Sequence, residues 1–162
     1  YNKIKLYRNH GMKKRDYVEC YGVNSRLDVI NAEILKIRLK KLKLINSQRR
    51  INASIYRKNL NYKYIKIPDD KKNEINSYVM LLSQAEKRDQ LQKYLSLNKI
   101  QTLVYYGTPL HLHKATKSLG YKKGSLPVAE KLSKKVLALP HHQNLTKKQI
   151  LHVCKTINKF YN

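Results

Sequence analysis

Apolar residues at Leu27, Ile30, Ile34, Ile37, Leu44, Ile51 and Ile55 recur at helical spacing, and Leu35, Leu39 and Leu42 widen the stripe. The pattern predicts one helix from Leu27 to about Arg57. At 1.5 Å per residue such a helix is roughly 45 Å long, too long for a small domain to cover, so part of it is expected to pack on something else. Its other face carries Lys36, Arg38, Lys40, Lys41, Lys43, Arg49 and Arg50. No acid falls between Ile34 and Pro68, so the helix lacks the i,i+4 ion pairs that usually decorate a solvated face.

Beyond Asn59 the texture shortens. Tyr62–Ile67 alternates Tyr and Ile with Lys and reads as a strand closed by Pro68-Asp69-Asp70. Ser77–Leu82 is a continuous apolar run and reads as a buried strand. Ala85–Asn98, with Leu91, Tyr94, Leu95 and Leu97, reads as a helix, and Thr102–Tyr106 as a further strand. A short helix over Pro127–Lys135, a strand over Val136–Leu139 and a last helix from Thr146, a plausible N-cap, complete the chain. The expected fold class is α+β: a long connecting helix followed by a small, mostly antiparallel sheet with flanking helices. The expected division is residues 1–26, the helix 27–58, and a small domain 59–162.

The chain has 162 residues, 35 Lys+Arg against 10 Asp+Glu and a net charge of +25. A hydrophobic fraction of 41% suffices for a packed core and argues against full disorder. Such charge invites a basic module for nucleic acid or anionic surfaces, with the 13 tyrosines as stacking candidates, and this is the alternative reading. No run is long and apolar enough to span a membrane, no signal-peptide layout opens the chain, and a cytoplasmic protein is expected. Cys20 and Cys154 have no metal-ligand or CxxC spacing and read as thiols.

Three clusters could carry chemistry. The first is Arg8-Asn9-His10-Gly11 with Gly22-Val23-Asn24-Ser25-Arg26-Leu27-Asp28. Asn24, Ser25 and Arg26 just before a helix read either as an anion cradle or as an ordinary capped start. In the second, Tyr105-Tyr106-Gly107-Thr108-Pro109-Leu110-His111-Leu112-His113, the paired histidines lack the nearby Cys, Asp or Glu that a metal would need. A loop histidine bonding a phosphate or substrate hydroxyl fits better there. His141-His142 read the same way, with surface imidazoles as the plain alternative.

Taken in order, these motifs resemble the DegT/DnrJ-type sugar aminotransferases, pyridoxal-phosphate enzymes of the aspartate aminotransferase fold. The resemblance also rests on Ile30-Asn31-Ala32-Glu33-Ile34-Leu35, Leu119-Gly120-Tyr121, Pro127-Val128-Ala129-Glu130 and Val136-Leu137-Ala138-Leu139-Pro140, and covers essentially the whole chain. It implies a C-terminal portion of such an enzyme, because the family's cofactor-bearing lysine, the acid facing the pyridine nitrogen and the ring-stacking residue lie before the Arg-Asn-His-Gly motif. On that ground the chain is expected to have no catalytic residue of its own, to bind no cofactor covalently and to be inactive alone. The intact enzyme would move an amino group from glutamate to a nucleotide-linked keto-sugar. The resemblance places Asn24 at the phosphate of the partner subunit's cofactor, with Arg26 either assisting at that phosphate or helping to hold the nucleotide-sugar substrate, and His111 and Tyr106 near the substrate. Many members carry His-Tyr-Pro where this chain has Tyr105-Tyr106-Gly107, so the sugar is left open. The implied partners are a second copy, with self-association through the Leu27–Arg57 helix, or an N-terminal half. No specific nucleic acid, membrane or metal is expected.

Overall fold

The computed structural model describes all 162 residues. In chain order the elements are α1 (Asn2–Tyr7), β1 (Met12–Lys14), β2 (Tyr17–Val18), α2 (Val29–Asn59), β3 (Ile65–Lys66), β4 (Leu81–Ala85), α3 (Arg88–Leu97), α4 (Pro127–Ser133), β5 (Val136–Leu139) and α5 (Lys147–Tyr161). Two short 3₁₀ turns, Leu110–Leu112 and Lys114–Leu119, precede α4. The chain divides into two compact units, Tyr1–Leu42 and Lys43–Asn162. In the first, β1 and β2 form an antiparallel hairpin. No helix is long and apolar enough to cross a membrane.

The second unit holds the expected α+β arrangement, a small antiparallel sheet with flanking helices. Its antiparallel sheet has the order β3-β4-β5, with Ile65 opposite Ala85 and Leu81 opposite Leu139. Leu91 and Leu95 of α3, Ile150, Val153, Cys154 and Ile157 of α5, and Ala53 and Tyr56 of α2 close the core with Leu81, Ala85, Leu137 and Leu139. Helix α5 starts as its sequence predicts: the Thr146 hydroxyl accepts from the Gln149 amide while the Gln149 side chain accepts from the Thr146 amide. Burial pushes the Cys154 thiol up to about 12, so it behaves as a small apolar side chain.

Three predicted strands move or shrink. The strand expected at Ser77–Leu82 lies at Leu81–Ala85, because its buried face alternates through Leu81, Ser83 and Ala85 rather than running continuously. Ser83 is tolerated there since its hydroxyl donates to the Leu137 carbonyl at 2.9 Å. Ser77–Met80 is held off the ladder: Tyr78 has φ +44°, and its hydroxyl bonds Asp70 and Arg57. The strand expected at Thr102–Tyr106 reduces to one bridge, Leu103 to Ala138, before Tyr106 turns the chain at φ +58°. Likewise Tyr62–Tyr64 is turn, and only Ile65–Lys66 pairs.

Polar pins fasten the C-terminal half of α2 to the chain beyond β5. The buried Tyr56 hydroxyl donates to the Pro140 carbonyl at 2.7 Å, and the Asn52 amide to the His142 carbonyl at 3.0 Å. His141, for which a surface imidazole is the plain alternative from sequence, is instead partly buried, its ring nitrogens 3.0 Å from the Arg49 carbonyl and 3.1 Å from that of Tyr78. Burial lowers its pKa. By contrast, the apolar residues Val29, Ile30, Leu35, Ile37, Leu39 and Leu44 of α2 are exposed.

Arg57 meets Asp70 at 3.2 Å, and Asp70 also accepts from Asn76 at 2.6 Å and from Tyr78. Burial alone would raise the Asp70 carboxyl, but the bonds from Tyr78 and Asn76 and the Arg57 charge outweigh it and leave the pKa lowered. A group whose folded pKa is lowered adds stability above its unfolded value, near 3.9 for Asp, and loses it as pH falls through the folded value. Asp70→Asn should therefore cost about 1–3 kcal/mol at pH 7, and the gap to wild type should close as acid is added. Urea melts across pH 2–7 check this; a gap constant with pH would contradict the role of the carboxylate.

Candidate functional site

In the first unit the Arg8–Gly11 and Gly22–Asp28 motifs are knitted into one surface. Asn9 and Asn24 form an antiparallel bridge, with the His10 amide on the Val23 carbonyl at 3.1 Å and the Ser25 amide on the Arg8 carbonyl at 2.9 Å. Side chains repeat the tie: Arg8 Nε donates to the Ser25 carbonyl at 2.8 Å and Arg26 Nη2 to Asn9 Oδ1 at 3.0 Å. Such an approach requires glycine. A Cβ on Gly22 would fall 2.3 Å from the Gly11 nitrogen and 2.5 Å from the Tyr7 carbonyl oxygen, and one on Gly11, at φ +68°, would fall 1.7 Å from the Cys20 carbonyl oxygen.

This arrangement corrects the capping alternative. Helix α2 begins only at Val29, and Asn24, Ser25 and Arg26 sit in the extended stretch before it, braced against Arg8 and Asn9. The Asn24 side chain is exposed and makes no hydrogen bond within the chain. Beside Arg26 lies a cavity of about 470 Å³ lined by Asn2, Lys5, Arg8, Asn9, Lys13 and Arg26 with Leu6 and Met12. Lys13 is paired with Glu19 at 3.4 Å, but no carboxylate lines the cavity. Four cations and two amides are a donor set that suits a phosphate.

The second cluster lies in the small domain. Tyr106, Thr108, Pro109, Leu110 and His111 line a cavity of about 530 Å³, closed by Leu119, Tyr121, Leu126, Ala129 and Leu132. His111 is buried, and its Nε2 lies 3.0 Å from Glu130 Oε1 on α4, while the Tyr121 ring meets the imidazole edge-on at 6.3 Å. The same carboxylate oxygen accepts the Gly124 amide at 2.7 Å. The hydrogen bond from His111 is the largest influence on Glu130 and, with the Gly124 and Leu126 amides, lowers its pKa. His113 turns elsewhere, its Nε2 3.2 Å from the Thr108 carbonyl; the two histidines do not converge. The sequence singled out His111 and Tyr106 but not Glu130, whose partnership crosses 19 residues and follows no helical or strand spacing.

A separate cavity of about 840 Å³ in this unit is lined by Val79, Met80, Leu103, Tyr105, His141, His142, Lys148 and His152 among others. Thus Tyr105 and Tyr106, adjacent in sequence, line different cavities.

Comparison with known proteins gives these clusters a common context. The family model of the DegT/DnrJ/EryC1/StrS aminotransferase family matches residues 1–158. A pleiotropic regulatory protein of Geobacillus stearothermophilus is 37% identical over 98% of this chain and 44% of its own length. A dTDP-3-amino-3,4,6-trideoxy-α-D-glucose transaminase of Streptomyces venezuelae is 31% identical over 98% of this chain and 42% of its own. The crystal structure of DesV from S. venezuelae superposes with a TM-score of 0.89 at 31% identity, covering 98% of this chain and 43% of that one. The chain therefore spans less than half the length of the relatives it matches.

The knit of the two motifs makes a sharp expectation. Gly22→Ala should disrupt the first unit while leaving the small domain intact, since the added methyl has only backbone to displace. Hydrogen exchange by mass spectrometry should show lost protection of the His10 and Ser25 amides with α5 unchanged. Unchanged protection at both amides would contradict the close approach.

Proposed function

Because the chain belongs to the DegT/DnrJ/EryC1/StrS aminotransferase family, we propose that these 162 residues supply the phosphate-holding segment and the sugar-side small domain of a pyridoxal-phosphate-dependent nucleotide-sugar aminotransferase. When bound, pyridoxal phosphate carries the amino group between the donor, read as glutamate, and a keto-sugar. In this reading Arg26, steadied by Asn9, presents its charge to the cofactor phosphate, and the free Asn24 amide adds neutral donors to it. Both act across a dimer, on the cofactor of the second copy. His111 and Tyr106 line the sugar side, where an apolar cavity excludes water and a few polar groups fix orientation.

The observation that carries the reading is the brace between Asn9 and Arg26. It joins the two motifs beside a cavity of about 470 Å³ whose lining carries four cations and no acid, a gathering of donors that a generally basic surface does not need. The exposed apolar residues of α2 suit a protein that associates with a further copy or segment. A soluble, cytoplasmic setting agrees with the nucleotide-sugar substrate.

The lysines of these residues are read as surface charge rather than as the cofactor-bearing group. Borohydride reduction of the chain in the presence of pyridoxal phosphate is expected to give no stoichiometric adduct at one defined lysine, and no transamination. A single labelled lysine accompanied by turnover would overturn this division of labour.

A further inference from the structure

The small-domain cavity contains a histidine whose two nitrogens are in different situations. His111 Nε2 is taken by Glu130 at 3.0 Å. Nδ1 has no partner in the chain, yet it is not among the buried side-chain atoms left unpaired, which are Arg57 Nε and Thr102 Oγ1. It is therefore reachable from outside the protein, on a residue that lines the cavity of about 530 Å³.

The chemistry of Glu130 decides which nitrogen carries the proton. Its Oε1 already accepts the Gly124 amide at 2.7 Å, and its side chain is only 14% exposed, against 5% for His111. An ionised carboxylate can only accept, so the imidazole facing it must donate through Nε2–H. In the neutral ring the open Nδ1 is then a lone pair, a hydrogen-bond acceptor. We infer that Glu130 is a positioning residue: it fixes His111 as the Nε2–H tautomer and so offers Nδ1 to a hydroxyl or ammonium donor of a ligand in this cavity. Glu130 stands in the first turn of α4 and its carboxylate accepts the Gly124 amide, so the group that faces the ring is itself held by the backbone. The lining around it is otherwise mostly apolar, with Pro109, Leu110, Leu119, Leu126 and Leu132, so a donor group meeting Nδ1 has little water to compete with it.

This assignment rests on the sugar-side reading of the cavity for its ligand, but not for its tautomer, and the two can be tested apart. The full 162-residue chain labelled with ¹⁵N-histidine reports both ring nitrogens of its six histidines. At alkaline pH, with the ring neutral, wild type is expected to show the Nε2–H tautomer at His111. Glu130→Gln, whose amide can donate or accept, is expected to give a mixture while the other histidines keep their shifts. Adding dTDP-glucose is expected to move the His111 Nδ1 resonance in wild type, with affinity about tenfold weaker in Glu130→Gln, the size of one misplaced hydrogen bond.

A wild-type Nδ1–H tautomer overturns the positioning role, whether or not the variant folds. So does a tautomer unchanged in a folded Glu130→Gln chain, which would make Glu130 only a structural partner. The expected tautomers with an Nδ1 resonance that dTDP-glucose leaves unmoved uphold the positioning role and overturn the sugar-side reading instead.

Discussion

Everything in the larger unit depends on the buried stretch of α2 between Arg49 and Arg57. Ala53 and Tyr56 reach the centre of the core, and the Tyr56 hydroxyl, the Asn52 amide and the Arg49 carbonyl that go in with them meet groups on other segments. Tyr56 meets the Pro140 carbonyl, Asn52 the His142 carbonyl, and the Arg49 carbonyl meets His141. These bonds join residues 84 to 92 positions apart, so they fix where β5 ends and where the chain turns toward α5. Buried hydrogen bonds contribute modestly when made and cost more when one partner is lost, which makes this seam intolerant of small changes.

The smaller unit obeys a different constraint, steric rather than hydrophobic. Its residues bury almost nothing apart from Gly11. Two glycines let backbone approach backbone, and the resulting bridge puts Arg8, Asn9, Asn24 and Arg26 on neighbouring strands of chain. Cations gathered this way would repel one another; Asn9 and the Ser25 carbonyl accept from two of them and steady the cluster. An anion placed among them would offset that repulsion.

The sequence made some of this legible and hid the rest for physical reasons. The long helix, the Val136–Leu139 strand and the Thr146 cap were readable because each is local: a period, a β-branched run between stops, a box of two side chains. The strand after Ser77 was misplaced because a buried serine, satisfied by the Leu137 carbonyl, looks polar in sequence and apolar in packing. The Thr102–Tyr106 run had strand composition but gains only a single bridge, since pairing is set by a neighbour's register rather than by propensity. At the candidate sites the motif residues were visible as a family pattern, whereas the contacts that orient them, Asn9 to Arg26 and Glu130 to His111, cross 17 and 19 residues and carry no periodic signal.

Whether the knitted motif of the first unit holds the phosphate of a pyridoxal-type cofactor, as proposed, is open to direct test. The most direct measurement is ³¹P NMR of pyridoxamine phosphate, which has no aldehyde to react with lysines, titrated with the chain in moderate salt. A saturable shift is expected, weakened by Asn24→Ala and abolished by Arg26→Ala. A shift that is absent, or that persists equally in both variants as nonspecific attraction to a chain of charge +25 would, would contradict it.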